Sequence, residues 1–280
     1  MKNYKSGYNF YMALCAAPTK EKRLELIKNC ENINVQGDMG ETALIWATHI
    51  GNEKIARLLV ENGAKLDLQD KEGLTALMHA IQSDYLKEFA KMLVQKGTNL
   101  NLQDKEGMTA VMYAIWYGEF ELARLLIEKG ARLDLQDKEG KTALRWAVDS
   151  FCDNEGGSVY PKFFNCADLG FINLLIDKGK NLDSKDKDGT TVLMFVSGFP
   201  APNTLAVVKL LVKKGARLDL QDKEGKTALM HAEQNNRKEI INFLKLKEKA
   251  NVENTVNKPW YSTPKQTILY LYNKVKGIIR

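Results

Sequence analysis

The feature that most constrains the fold of this chain is a glycine that returns at nearly constant intervals. Each of these glycines closes a polar hexapeptide, which reads LQDKEG at residues 68–73, 102–107, 135–140 and 220–225. SKDKDG at 184–189 and VQGDMG at 35–40 are looser copies. The six glycines are spaced 33, 34, 33, 49 and 36 residues apart and stand at Gly40, Gly73, Gly107, Gly140, Gly189 and Gly225. A catalytic motif needs one copy, whereas self-similarity at a period near 33 indicates a repeat protein.

The residues that follow each glycine are also similar from unit to unit, and their pattern predicts two helices per unit. A threonine followed by apolar residues, as in LTALMHA, is typical of a capped helix start. A second apolar block such as ELARLLIEKG places Leu122, Leu125 and Leu126 on one helix face, and Gly130 ends that helix. One such unit cannot bury its apolar face alone, so we expect the units to stack into a continuous core.

These residues resemble the ankyrin repeat. The family pattern has an Asp, a Gly three residues later, Thr-Pro-Leu-His-x-Ala, and then Leu-Leu and Gly-Ala. DKEGLTALMHA at 70–80 and GAKLDLQD at 63–70 carry it here, and the resemblance covers about residues 32–245. It implies an all-α ankyrin-repeat solenoid of about six to seven helix-turn-helix units with β-turn fingers, plus a C-terminal helix.

The chain departs from the family pattern at two regular positions. The family proline is replaced by an aliphatic residue at Ala43, Ala76, Ala110, Ala143, Val192 and Ala228. The family histidine is replaced in every unit, by Ile45, Met78, Met112, Arg145, Met194 and Met230. In the family that histidine links neighbouring turns through hydrogen bonds. Other residues must therefore make those links in this chain.

The repeats divide the chain into three predicted regions. Residues 1–31 read as an N-terminal capping repeat, 32–250 as the array, and 251–280 as a basic amphipathic tail. The predicted units lie near 34–66, 67–100, 101–133, 134–182, 183–218 and 219–250. An insertion at 150–168 carries Tyr160, Phe163 and Phe164, which we expect to cover the stack, with a partner-contacting loop as the alternative.

An aromatic or histidine side chain occupies one equivalent position in every unit. The six residues at this position, called the slot below, are Trp46, His79, Tyr113, Trp146, Phe195 and His231. Because the slot directly precedes a residue predicted to be buried, we expect the rings to stack on one another between repeats rather than to bind bases.

Information about a partner should lie where the copies differ. Trp116 and Tyr117 end the first helix of a central unit, a position that lines the concave groove in ankyrin proteins. Trp and Tyr are enriched at binding hot spots, although they can also cover an exposed seam. We predict that Leu74 and Met108 extend an apolar patch around Trp116. The complete predicted partner-binding set is Ile50, Leu74, Met108, Trp116, Tyr117, Lys141 and Asp149, with Lys141 and Asp149 on the rim.

No motif indicates catalysis or a cofactor. His49, His79 and His231 belong to different units, which predicts separations of about 10 Å or more between stacked helices. HExxH, GxSxG, Walker A and GxGxxG elements are absent from the sequence. Asp186 and Asp188 have calcium-loop spacing, but the repeat already accounts for them. We therefore expect no enzyme, no metal or other cofactor and no small-molecule substrate, but a scaffold that binds another protein.

The positive charge is concentrated at the C-terminus. The net charge is +6, and residues 245–280 contain eight Lys/Arg and two Asp/Glu, so 8 − 2 = +6 and the rest is neutral. A neutral array argues against nucleic acid as a partner. Residues 264–280 place Ile268, Leu271, Tyr272, Val275, Ile278 and Ile279 at helical spacing. This segment could dock on the last repeat as a cap. Alternatively it could anchor the protein to a membrane surface as a peripheral adaptor.

The cysteines and the N-terminus bear on location. Cys15, Cys30, Cys152 and Cys166 form no CxxC pair, which favours reduced thiols and a cytoplasmic protein. The N-terminal apolar run is short and interrupted by Asn9, so secretion is the weaker alternative. We expect a monomer.

Overall fold

The computed structural model describes residues 2–152, 168–179, 181–201 and 203–256. Within those ranges the chain forms fourteen helices and no named strand, so the prediction of an all-α solenoid is confirmed. The helices come in successive pairs: α1 (Gly7–Ala16) and α2 (Lys20–Lys28), α3 (Ala43–His49) and α4 (Glu53–Glu61), α5 (Ala76–Ile81) and α6 (Lys87–Gln95), α7 (Ala110–Trp116) and α8 (Phe120–Glu128), α9 (Ala143–Cys152) and α10 (Leu169–Lys178), α11 (Val192–Gly198) and α12 (Thr204–Lys213), and α13 (Ala228–Gln234) and α14 (Lys238–Val256).

Stacked first helices form the centre of the solenoid. Each first helix contacts the next along the chain, from α1 through α3, α5, α7, α9 and α11 to α13. Alanines such as Ala47, Ala80 and Ala114 are fully buried between them. Because alanine is small, neighbouring helices can approach closely and share one continuous core.

A threonine begins each first helix of the array, as predicted. The Thr75 hydroxyl accepts a hydrogen bond from the Met78 N–H at 3.2 Å, and Thr42 caps α3 in the same way. These threonines are buried, so the bond satisfies a backbone donor that water cannot reach.

The glutamine of the hexapeptide links one turn to the next. We call each hexapeptide turn a finger. Gln69 Nε2 donates both to Gly73 O of its own finger at 2.6 Å and to Gln103 O of the following finger at 2.9 Å. Gln36, Gln103 and Gln136 repeat this arrangement. Side-chain amides thus make the links between fingers that histidines make in the family pattern.

The backbone reinforces this ladder. The Lys105 N–H donates to Glu72 O at 2.8 Å, and the Lys138 N–H donates to Glu106 O at 2.8 Å. The side chains of the same residues are paired, with Lys138 Nζ 3.3 Å from Glu106 Oε1. These pairs are exposed and contribute little to stability individually. The backbone bonds fix the spacing between fingers.

The aspartate of the hexapeptide holds the slot side chain of its own repeat. Asp70 Oδ1 accepts the N–H groups of Glu72 and Leu74, and Oδ2 lies 2.9 Å from His79 Nε2. Burial raises the pKa of Asp70, but the hydrogen bonds from His79 and the two amides outweigh it and lower the pKa below its ordinary value.

The expected slot-to-slot stack was therefore wrong in its geometry. Tyr113, Trp146 and His231 likewise donate to the finger aspartates of their own repeats, at 2.6, 2.9 and 2.7 Å. Two ring contacts between repeats instead join a slot residue to the helix-end residue of the preceding repeat. In one such contact the ring centroids of His79 and His49 are 5.1 Å apart.

Several predictions from the sequence fall outside the described residues. Tyr160, Phe163, Phe164 and Cys166 of the insertion and the whole of 264–280 lie there, while Cys152 is buried at the end of α9. None of the helices in the described ranges combines the length and the apolar composition that crossing a membrane requires.

Candidate partner-binding surface

An aromatic cluster lies at the middle of the array. Trp116 is the last residue of α7 and Tyr117 is its C-cap; both are half-buried. The Trp116 ring centroid is 5.6 Å from that of Tyr117, 6.0 Å from Tyr113 and 5.7 Å from Trp146 of the following repeat. We call Tyr113, Trp116, Tyr117 and Trp146 the central aromatic cluster.

Polar contacts fix the base of this cluster. Tyr113 donates to Asp104, and Trp146 Nε1 donates to Asp137. Burial, together with the hydrogen bond to the Asp104 carboxylate, raises the pKa of Tyr113 far above its ordinary value. Lys141 Nζ lies 4.9 Å from the Trp146 ring centroid, a cation–π distance. Two of the four rings are thus held in place before any partner arrives.

The Trp116 indole differs from the Trp146 indole in its hydrogen bonding. Its ring is half-buried, yet Nε1 is inaccessible to solvent and has no hydrogen-bond partner among the described residues. An unpaired buried donor costs about 1–3 kcal/mol. A small rotation of the ring that brought Nε1 to an acceptor would remove that cost.

The predicted rim residues form a buried ionic network. Asp149 is only 6% exposed and accepts from Lys141 Nζ at 2.9 Å and from Arg145 Nε at 2.7 Å. Arg145 Nη1 also donates to Asp186 Oδ2 at 2.9 Å, and its guanidinium lies 3.6 Å from the Phe195 ring centroid. Burial removes Asp149 from the rim, and its role here is to position Lys141 and Arg145. Lys141 keeps 20% of its side chain exposed.

The predicted apolar residues are not all available at the surface. Met108 is 4% exposed and belongs to the core, so it adds almost no area to a patch around Trp116. Leu74 is half-buried. Ile50 is 55% exposed at the end of α3, but it lies two repeats away from Trp116. The structure brings Trp116, Tyr117 and Lys141 together through Trp146.

Two relationships were missed or misjudged from the sequence. His49 and His79 are not separated as expected, because their Nδ1 atoms lie 3.4 Å apart. The helix-end residue leans toward the slot of the next repeat, which shortens the distance between them. The family pattern identifies Arg145 only as a replacement for the family histidine. The sequence signal for its further role is Phe195, which occupies the slot of the following repeat and cannot donate a hydrogen bond.

The described residues contain no group of three or more His, Cys, Asp or Glu side chains arranged to hold a metal ion. Among the described residues, the side-chain hydrogen bonds that join His49, His79 and Asp70 do not include a serine, threonine or cysteine. The rings around Trp116 form an aromatic contact surface.

Comparisons with known proteins agree with this architecture. The family model described as "Ankyrin repeats (3 copies)" matches residues 12–104, 85–156 and 163–256. The ankyrin repeat domain of Bcl-3, a member of the IκB family, shares 24% identity and the fold, with a TM-score of 0.64 over 87% of this chain and all of that one.

Two bacterial structures are also similar. An ankyrin repeat domain from Acinetobacter baumannii is 26% identical, with a TM-score of 0.61 over 73% of this chain and 96% of that one. A chain in the complex of the predatory endopeptidase Bd0816 from Bdellovibrio bacteriovorus with immunity protein Bd3460 is 28% identical, with a TM-score of 0.57 over 74% of this chain and 99% of that one. Ankyrin repeats generally mediate protein–protein interaction and are typically not enzymes. The present chain belongs to the ankyrin repeat family.

Proposed function

We propose that this chain binds a partner protein through its groove face, with Trp116 and Tyr117 at the centre of the contact. The groove face is the surface formed by the ends of the first helices and the adjoining fingers. The observation that carries the proposal is the central aromatic cluster, in which two half-buried rings at mid-array rest on two rings held by hydrogen bonds. One of the similar chains comes from a complex of an endopeptidase with an immunity protein, which is consistent with a scaffold of this kind taking part in protein–protein binding.

Preorganisation supports this proposal. A flexible aromatic side chain loses conformational freedom on binding, at about 0.5–1.5 kcal/mol per immobilised side chain. Trp116 is already packed against Tyr113 and Trp146, so little of that freedom remains to be lost.

Binding measurements on a double variant test the proposal. A partner is first captured with the wild-type chain from the native host and then purified. Its affinity is compared for wild type and for Trp116→Ala/Tyr117→Ala by calorimetry. A hot spot should lose about 2 kcal/mol or more, which is roughly a 30-fold weaker Kd.

The matched control is Tyr85→Ala, which removes an aromatic ring that is 86% exposed in the turn between α5 and α6. It should bind as wild type does. Circular dichroism and a melting curve establish that each variant is folded. Unchanged affinity of a folded double variant would show that the contact lies elsewhere.

A further inference from the structure

The last repeat exposes side chains whose equivalents are buried in the five earlier repeats of the array. Met230 is 47% exposed, whereas its five equivalents are at most 8% exposed: Ile45, Met78, Met112, Arg145 and Met194. Ile241 is half-buried, whereas its equivalents are fully buried: Ala56, Ala90, Ala123, Ile172 and Val208. In the earlier repeats the following repeat covers these positions. We call the surface with Leu229, Met230 and Ile241 the C-terminal edge.

The last finger is uncovered as well. A Cβ added at Gly73 would lie 2.7 Å from Asp104 Cα in the next finger, but one added at Gly225 meets no described atom within 4 Å. Gln69 donates to the following finger at 2.9 Å, whereas no further finger follows that of Gln221 among the described residues. Within the described ranges, the edge is therefore left uncovered at both its apolar side chains and its finger.

An ion pair on the last repeat limits what can cover this edge. Glu233 occupies a position that is buried in all five earlier repeats of the array, and it is exposed here, paired with Lys245 at 2.8 Å. A further repeat would bury this ion pair at a cost in desolvation. One amphipathic helix could instead cover the apolar side chains and leave the pair in water.

We propose that residues 264–280 of the same chain dock on the C-terminal edge as a single amphipathic helix. This segment lies outside the described residues, and its sequence places six apolar side chains at helical spacing, including Ile268, Leu271 and Tyr272. A cap of this kind completes the core of a solenoid, because a terminal repeat cannot bury its outer face alone.

The length of the intervening chain permits this docking. α14 has 19 residues, of which the first nine correspond to the nine-residue α4, so ten residues carry the chain about 15 Å beyond the repeat. Residues 257–264 can span roughly 26 Å when extended. This reach exceeds the roughly 15 Å by which α14 extends beyond the repeat. Residue 265 can therefore lie level with the C-terminal edge.

Hydrogen–deuterium exchange of the full chain tests the docking. Leu271→Glu adds one negative charge to the apolar face of the segment, and Asn273→Glu adds the same charge to the opposite face. Docking predicts that amides of α13 exchange about tenfold faster in Leu271→Glu and at the wild-type rate in Asn273→Glu. Met230→Glu should accelerate exchange in the 264–280 segment in the same way.

Exchange in peptides from α5, far from the edge, serves as the control and reports whether the array remains folded. Leu271 itself lies outside the repeats, so its substitution does not alter a repeat directly. Equal exchange of α13 in wild type and Leu271→Glu would overturn the proposal. It would also be overturned if Leu271→Glu abolished co-sedimentation with phosphatidylcholine–phosphatidylserine vesicles without affecting α13, since the segment would then bind membrane. A dimer that Met230→Glu dissolves and Leu271→Glu does not would assign the edge to a second copy.

Discussion

Arg145 Nη1 donates to Asp186 Oδ2 at 2.9 Å, across the boundary between two repeats. In other fingers the aspartate is held by the slot residue of its own repeat, as Asp70 is by His79. The slot of the Asp186 repeat holds Phe195, which cannot donate a hydrogen bond. Arg145 lies over that ring and supplies the missing donor from the preceding repeat. Arg145, a departure from the family pattern, thus compensates for the donor that Phe195 lacks.

Arg145→Met should destabilise the array strongly. The Arg145 side chain is only 10% exposed and pairs with both Asp149 and Asp186. The substitution removes this shared partner from both carboxylates. Removing one partner of a buried ion pair costs about 3–5 kcal/mol. Urea denaturation followed by circular dichroism measures the change in the free energy of unfolding.

The control for this prediction is Arg132→Met, which removes an arginine paired with Asp134 on the surface. Its midpoint of unfolding should stay close to that of wild type, because exposed pairs contribute little. If both variants unfolded at the same urea concentration, the network around Arg145 would have no special stabilising role.

The finger glycines allow a matched test of how repeats contact each other. Gly73 and Gly225 have φ values of +81° and +79°, so alanine at either position carries left-handed backbone strain of about 1–2 kcal/mol. Only at Gly73 would the new Cβ also collide with the backbone of the next finger. Gly73→Ala should therefore lose about 1–3 kcal/mol more than Gly225→Ala. Calorimetric melting of the two variants measures this difference, and equal losses would contradict it.

The sequence predicts the repeat, the capping threonines and the family because the residues that define them recur at nearly fixed spacing in six units. It did not predict which side chains the fold withdraws from solvent. Met108 and Asp149 stand at variable positions and were read as surface residues, yet one lies in the core and the other in an ionic network. Burial at such positions depends on the neighbouring repeat, and single-repeat periodicity does not encode it.

Tyr113 should make the stability of the protein depend on alkaline pH. Its pKa is raised above the ordinary value of 10.0 by burial and by the hydrogen bond to Asp104. The neutral phenol therefore favours the folded state below about pH 10, and that contribution is lost as the pH rises further because the unfolded phenol ionises first.

Tyr113→Phe should be less stable by about 1–2 kcal/mol at pH 7, since Asp104 loses a hydrogen bond. The difference in the free energy of unfolding between wild type and Tyr113→Phe should become smaller as the pH rises above 10. Urea midpoints measured between pH 8 and 11 report it. Tyr85→Phe, at an exposed tyrosine, serves as the control and should follow wild type throughout. A gap that stays constant with pH would contradict the assigned environment.

Gly37→Asp, which introduces the aspartate found in the other fingers, should destabilise the first finger. Gly37 occupies the position of Asp70, and Trp46 in its slot has a buried Nε1 without a partner among the described residues. An aspartate has a carboxylate that can accept a hydrogen bond from that donor, but an added Cβ would lie 2.8 Å from Ser6 Cβ and collide with the Glu41 side chain. Overpacking of this kind costs about 1–3 kcal/mol, which exceeds the roughly 1 kcal/mol gained from a hydrogen bond.

Replacing Ser6 by glycine tests that cause. Ser6 caps α1 through the Asn9 N–H at 3.2 Å, and glycine is tolerated at an N-cap with a loss of only a few tenths of a kcal/mol. In a Ser6→Gly background, Gly37→Asp should therefore cost clearly less than it does alone. Melting temperatures of the wild type, both single variants and the double variant complete the cycle. Additive effects would show that contact with Ser6 is not what keeps glycine at position 37.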